Sequence, residues 1–107
     1  MDITAYRDVL TRIRDYLRIY DEKKWSSRVD EWLRELDDIK TPSALRTHVE
    51  RSQRTTGGMG SLGDLTICPQ NGHIIEHDVK RITEASQGLY RLTAELYQET
   101  KLLLSKV

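Results

Sequence analysis

The chain has 107 residues, 17 Lys+Arg against 17 Asp+Glu, and a formal net charge of +0. That length points to a single domain, 1–107, with a modest core that needs no staple, and the neutral balance argues against a nucleic-acid binder, which carries a clear basic excess. Cys68 is the one cysteine, so no intrachain disulfide is possible, no run approaches a membrane span, and the charged opening MDITAYRDVLTRIRDYL lacks the apolar stretch of a signal peptide; the expected location is the cytoplasm, with no membrane contact.

Ile3, Tyr6, Leu10, Ile13, Leu17 and Tyr20 recur at spacings of three and four. That is one face of a helix over 3–20, widened by Val9 and Tyr16. Asp2 stands where its carboxylate can accept the free amide protons of the first turn. The charges of YDEKKW interrupt the stripe. Trp25, Val29, Trp32 or Leu33, Leu36 and Ile39 resume it, predicting a second helix over 23–39 that folds back antiparallel on the first. In KTPSALRTHVERSQRTT, Thr41 suits a cap and Pro42 the first helical position. Ala44, Leu45, His48 and Val49 form one side of a third helix, 42–53, with Gly57 and Gly58 expected to end it through a left-handed cap.

Five of the six glycines fall in TTGGMGSLGDLTICPQNGH, Thr55 to His73. Its expected role is a structural loop: Gly57, Gly58 and Gly60 for bends, Met59 and Leu62 plugging the core, Ser61 and Asp64 bonding freed backbone amides. A lesser reading has Met59, Ser61 and Asp64 presented to a partner. Leu65, Ile67 and Cys68, then Ile74 and Ile75, are β-prone runs around Pro69-Gln70-Asn71-Gly72, so a small β-hairpin is expected, packed on helices. From Asp78 the residues Ile82, Ala85, Leu89, Leu92, Leu96 and Leu103 mark a long helix over 78–104, with Glu99 breaking the heptad. Gly88 costs this helix about 1 kcal/mol against alanine, which suggests close approach of a neighbour. The predicted fold is mainly α, a three to four helix bundle with one small β-hairpin before a long C-terminal helix.

Candidate chemistries meet their sequence requirements poorly. A phosphate loop needs a lysine after its last glycine, and none lies between Lys40 and Lys80. A dinucleotide fingerprint needs a strand before the glycines, where a helix is predicted. His73, Glu76 and His77 spell the zinc pattern H-x-x-E-H, but that chemistry needs a helix and His73 follows an Asn-Gly turn. Cys68 inside LTIC reads as a small buried hydrophobe. No catalytic residue, cofactor or metal is expected, and the chain is not read as an enzyme.

Charge distribution carries more. Asp30, Glu31, Glu35, Asp37 and Asp38 make the second helix acidic, and Arg46, Arg51 and Arg54 make the third basic. They form either two solvated faces that attract each other or an acidic surface for a basic partner. Tyr90 and Tyr97, seven apart beside the leucine stripe, suit a core edge or an interface.

The segments EKKWSSRVDEWLREL, GGMGSLGDL, Asn71-Gly72 and LYRLTAELY together resemble a family of small, uncharacterised bacterial proteins with a motif near G-G-M-G-S-hydrophobic-N-D-hydrophobic. Gly63 stands where that motif has asparagine. The format is similar to immunity proteins that neutralise bacterial toxins. The resemblance implies a protein-binding role: an immunity protein that occludes a cognate toxin or effector, with Asp30, Glu31, Glu35, Asp37, Asp38, Tyr90 and Tyr97 as contacts, acting as a monomer or weak homodimer. Two alternatives stand beside it: a regulatory or structural homo-oligomer built through the last heptad stripe, and a small metal-dependent enzyme at His73, Glu76, His77 and Cys68.

Overall fold

Each helix begins where a side chain can take up its first free amide protons. The computed structural model describes residues 2–57 and 60–107, and within these it contains α1 Thr4–Ile19, α2 Lys23–Asp38, α3 Pro42–Arg54 and α4 Val79–Leu104. The Asp2 carboxylate accepts the Thr4 amide at 2.9 Å, which holds its pKa below the usual carboxylate range. Glu22 caps α2 by accepting from the Trp25 amide at 2.8 Å. Thr41 Oγ1 accepts from Ala44 at 3.1 Å, with Pro42 at the start of α3. Asp78 accepts from the Lys80 and Arg81 amides at 2.9 and 3.3 Å and opens α4.

The expected left-handed stop for α3 is corrected. Its cap, Thr55, is right-handed, and the hydroxyls of Thr55 and Thr56 return to the carbonyls of Ser52 and Gln53 at 2.7 Å each. These threonines close the helix before Gly57, which has no positive φ; Gly58 and Met59 lie outside the described residues.

Ion pairs fix the helix directions. Arg7 meets Asp37 at 3.0 Å and Arg14 meets Asp30 at 3.3 Å, so α1 and α2 run antiparallel. Arg12 pairs with Glu95 through both carboxylate oxygens, and Tyr16 Oη donates to the Ala85 carbonyl at 2.7 Å, so α4 is antiparallel to α1 as well. Gly88 permits that contact: a Cβ there would lie 2.3 Å from Tyr16 Oη. The stripe of α4 is consumed inside the chain, with Ala85, Leu89, Leu96 and Leu103 buried beside Leu10, Ile13, Leu17, Leu45 and Val49. Thr93 and Thr100 are buried with it, their hydroxyls returned to the carbonyls of Tyr90 and Tyr97 at 2.8 and 2.6 Å. That placement turns the heptad face inward, away from the dimer it suggested.

The expected β-hairpin is absent: among the described residues there is no strand. The turn is present, a single 3-10 turn at Pro69–Asn71 closed by Gly72 at φ +84°. One hairpin-like bond also forms, from the His73 amide to the Cys68 carbonyl at 3.3 Å. Its reciprocal does not, because the Cys68 amide donates to His73 Nδ1 at 3.0 Å. The Ile67 amide goes to Ser86 Oγ on α4 at 2.9 Å, and the Ile74 amide to the Tyr20 carbonyl at 2.9 Å. Helices and one imidazole satisfy the donors that a ladder would have used.

Candidate functional site

The glycine-rich segment is packed against the helices. Leu62 is fully buried, and its amide donates to the Thr55 carbonyl at 2.9 Å. Asp64 Oδ2 accepts from the Gly60 amide at 3.1 Å, and Gly60 supplies a positive φ of +76°. Gly63 is a close-approach glycine, since a Cβ there would sit 2.3 Å from the Thr56 carbonyl oxygen. Ser61 is half-buried, and the Asn71 amide group donates to the Thr66 carbonyl at 2.9 Å, across the turn that Gly72 completes.

Of the three histidines, His48 and His73 are buried. His73 accepts at Nδ1 from the Cys68 amide, so its proton sits on Nε2 and is donated to Glu22 Oε1 at 3.1 Å. The other oxygen of Glu22 caps α2, so one carboxylate ties the turn to a helix start. His77 is exposed, Glu76 pairs with Arg81 at 3.1 Å, and no helix spans 73–77, so the two histidines share no helical face. Cys68 is half-buried, and His73 is engaged with its amide through Nδ1. Among the described residues no group of three or more His, Cys, Asp or Glu side chains is placed to hold a metal ion.

His48 is the titratable residue that helical periodicity assigned to the core without a further role. It is 2% exposed, with Nδ1 at 3.0 Å from Glu35 Oε2, and Glu35 also accepts from Arg51 at 2.7 Å. Burial pushes its pKa down, against the upward pull of Glu35. Its Nε2 is buried without a hydrogen-bond partner. Tyr6 stands edge-on to the ring at 5.8 Å, and Tyr6 Oη lies 2.7 Å from Ser52 Oγ. Ser52 has no exposed surface, whereas Glu35, His48 and Arg51 line a hollow of about 380 Å³, and the group ties α2, α3 and α1 together through polar contacts.

The acidic residues are largely neutralised from within. Asp30 meets Arg14 and Arg34 at 3.3 and 3.4 Å, Asp37 meets Arg7, and Glu35 meets Arg51. Of these pairs, Glu35–Arg51 joins the acidic α2 to the basic α3, while Asp30 and Asp37 are met from α1 and from α2 itself. Glu31 and Asp38 are exposed and in no ion pair among the described residues. Arg7 and Arg14 turn toward α2, while Arg12 and Tyr16, on the other side of α1, turn toward α4. Among the described residues, neither hollow lined by Tyr90 has an acidic residue of α2 in its wall.

The tyrosines and the glycine segment do come together. Tyr90 and Tyr97 are 64% and 42% exposed on the flank of α4 that faces the end of α3. With Thr56, Gly57, Thr93, Ala94 and Gln98 they line a hollow of about 390 Å³. Tyr90 also walls a neighbouring hollow of about 360 Å³ with Gly63, Leu65 and Ile82, so a groove follows the seam between α4 and the connector. Among the described residues no charged one lines the first hollow, in a chain of which 32% is charged. Its small floor, Gly57 and Ala94, leaves the tyrosine rings standing as walls, one of them with Lys101 Nζ 5.6 Å from its centroid. Periodicity alone singles out Tyr90 and Tyr97 but not Thr56, Ala94 or Gln98, since it does not say which flank of α4 meets the end of α3.

A family model described as a domain of unknown function (DUF6966) matches residues 18–76, just over half of the chain. The matched stretch contains α2, α3, Glu22, His48 and His73. No curated protein and no solved structure matches the chain. No described helix is long and apolar enough to cross a membrane.

Proposed function

We propose that this chain, which belongs to the DUF6966 family, is a protein-binding module, and specifically an immunity protein that neutralises a bacterial toxin or effector by occlusion. It acts by contact, without catalysis or cofactor, on a partner in the same cytoplasm. The observation that carries the reading is the hollow walled by Tyr90 and Tyr97, whose described lining holds no charged residue. Tyrosine supplies a large contact area with little rotamer entropy, and contact energy concentrates in such side chains where they stand beside small residues. The acidic residues of α2 contribute less, because most of their charge is already answered by Arg7, Arg14, Arg34 and Arg51. Glu31 and Asp38 remain as charges that steer a basic partner.

The test is co-expression with the product of the neighbouring toxin gene, followed by titration calorimetry. The expected result is survival and a one-to-one complex. Tyr90→Ala and Tyr97→Ala should each weaken it by about thirtyfold, the effect of losing a hot-spot side chain, while unfolding is nearly unchanged. Equal killing with and without this chain ends the immunity reading. A complex indifferent to both tyrosines moves the contact surface elsewhere.

A further inference from the structure

The opposite flank of α4 carries a second surface. There α4 lies along α1, and Tyr16 lines two adjoining hollows of about 340 and 440 Å³. Ile74 lines one and Ile19 the other, and they are 69% and 68% exposed. Gly88 and Leu92 line the larger hollow. Ile74 and Ile19 are thus aliphatic side chains left in water in two hollows that share Tyr16.

Charge selects the occupant. Glu84 borders one hollow and Arg91 the other. The neighbouring Arg81 and Arg12 are already paired with Glu76 and Glu95, whereas Glu84 and Arg91 are in no ion pair among the described residues. They stand seven residues apart on α4, two turns or roughly 10 Å, on either side of Gly88. A helix laid antiparallel along this edge of α4, outside the Tyr16 ring that abuts Gly88, matches them only if it carries arginine and glutamate in reversed order at the same spacing. α4 is such a helix. We propose that a second copy of this chain docks here about a twofold axis near Gly88, with Glu84 of each copy against Arg91 of the other and Ile19 and Ile74 covered between them. The contact is isologous, the same patch serving both copies. It leaves the tyrosine groove open, so each copy keeps its site for a toxin.

Sedimentation velocity of the full chain over a wide concentration range tests this. A monomer–dimer equilibrium is expected. Glu84→Arg sets like charges opposite each other twice and should weaken the dimer about tenfold, as should Arg91→Glu. The double variant restores the pairing in reverse and should return to within about threefold of the native chain. Ile19→Asp should weaken the dimer by about tenfold or more, with an unchanged circular dichroism spectrum because the residue is exposed; Tyr90→Ala should leave the dimer intact. A chain monomeric throughout overturns the proposal. So does a dimer indifferent to Glu84→Arg and Ile19→Asp, or a double variant no better than either single one.

Discussion

Replacing Gly88 by alanine sets two effects of similar size against each other. In an open helix the change stabilises by about 1 kcal/mol, because glycine loses more backbone freedom on folding. Here the new Cβ would lie 2.3 Å from Tyr16 Oη and 3.1 Å from Cζ, so the phenol must withdraw. Withdrawal gives up the 2.7 Å hydrogen bond to the Ala85 carbonyl, about 1 kcal/mol. Overpacking adds about 1–2 kcal/mol, the lower part of its usual range, because the atoms that move belong to a side chain at the α1–α4 seam. The balance is a loss of about 1–2 kcal/mol. Urea unfolding followed by circular dichroism measures it. In a Tyr16→Ala background the obstruction is gone, since the three nearest atoms all belong to Tyr16. There Gly88→Ala should stabilise by about 1 kcal/mol. A stabilising effect in the native background, or the same effect in both, refutes the close-approach account of this glycine.

Two further expectations concern the connector and the buried imidazole. Gly63→Asn brings a Cβ within 2.3 Å of a backbone oxygen that cannot rotate away; a loss of about 1–3 kcal/mol in thermal or urea unfolding is expected, and a neutral result would mean that the connector shifts freely. For His48, burial lowers the pKa in the folded chain, so as pH falls below the ordinary histidine value of about 6.5 the unfolded chain takes up the proton first. Stability from this group is therefore full above that value and falls as pH drops toward the lowered pKa, at up to about 1.4 kcal/mol per pH unit. Unfolding free energies of the native chain and of His48→Gln, compared between neutral and mildly acidic pH, should show the smaller loss in the variant; parallel curves would sink this assignment.

Helices were legible because their signals are local. Spacings of three and four in Ile3 to Leu17 and Trp25 to Leu36, together with caps at Asp2 and Thr41, need only neighbours in sequence to form, and each of these two expected caps accepts a backbone amide in the fold. Gly72 likewise takes the positive φ that an Asn-Gly pair announces. The hairpin failed for a reason of the opposite kind. Leu65 to Ile75 has the composition and turn of one, but a ladder requires that its amides have no better acceptor. His73 Nδ1, Ser86 Oγ and the Tyr20 carbonyl are such acceptors, and they arrive from the turn itself, from α4 and from the end of α1.

The same division runs through the candidate sites. The order of the residues alone established that the neutral total hides an acidic and a basic helix, because charge along a helix is written residue by residue. Whether those charges face a partner or one another depends on how α2 is set against α1 and α3, and Arg7, Arg14 and Arg51 pair three of the five within the chain, at its surface. Tyr90 and Tyr97 were visible as a pair at seven-residue spacing. Their groove was not, because it exists only where the flank of α4 meets Thr56 and Gly57, residues more than thirty positions earlier in the chain. Period and caps are properties of a segment, whereas a hydrogen-bond acceptor, a counter-ion or a groove wall belongs to whichever segment packing brings alongside.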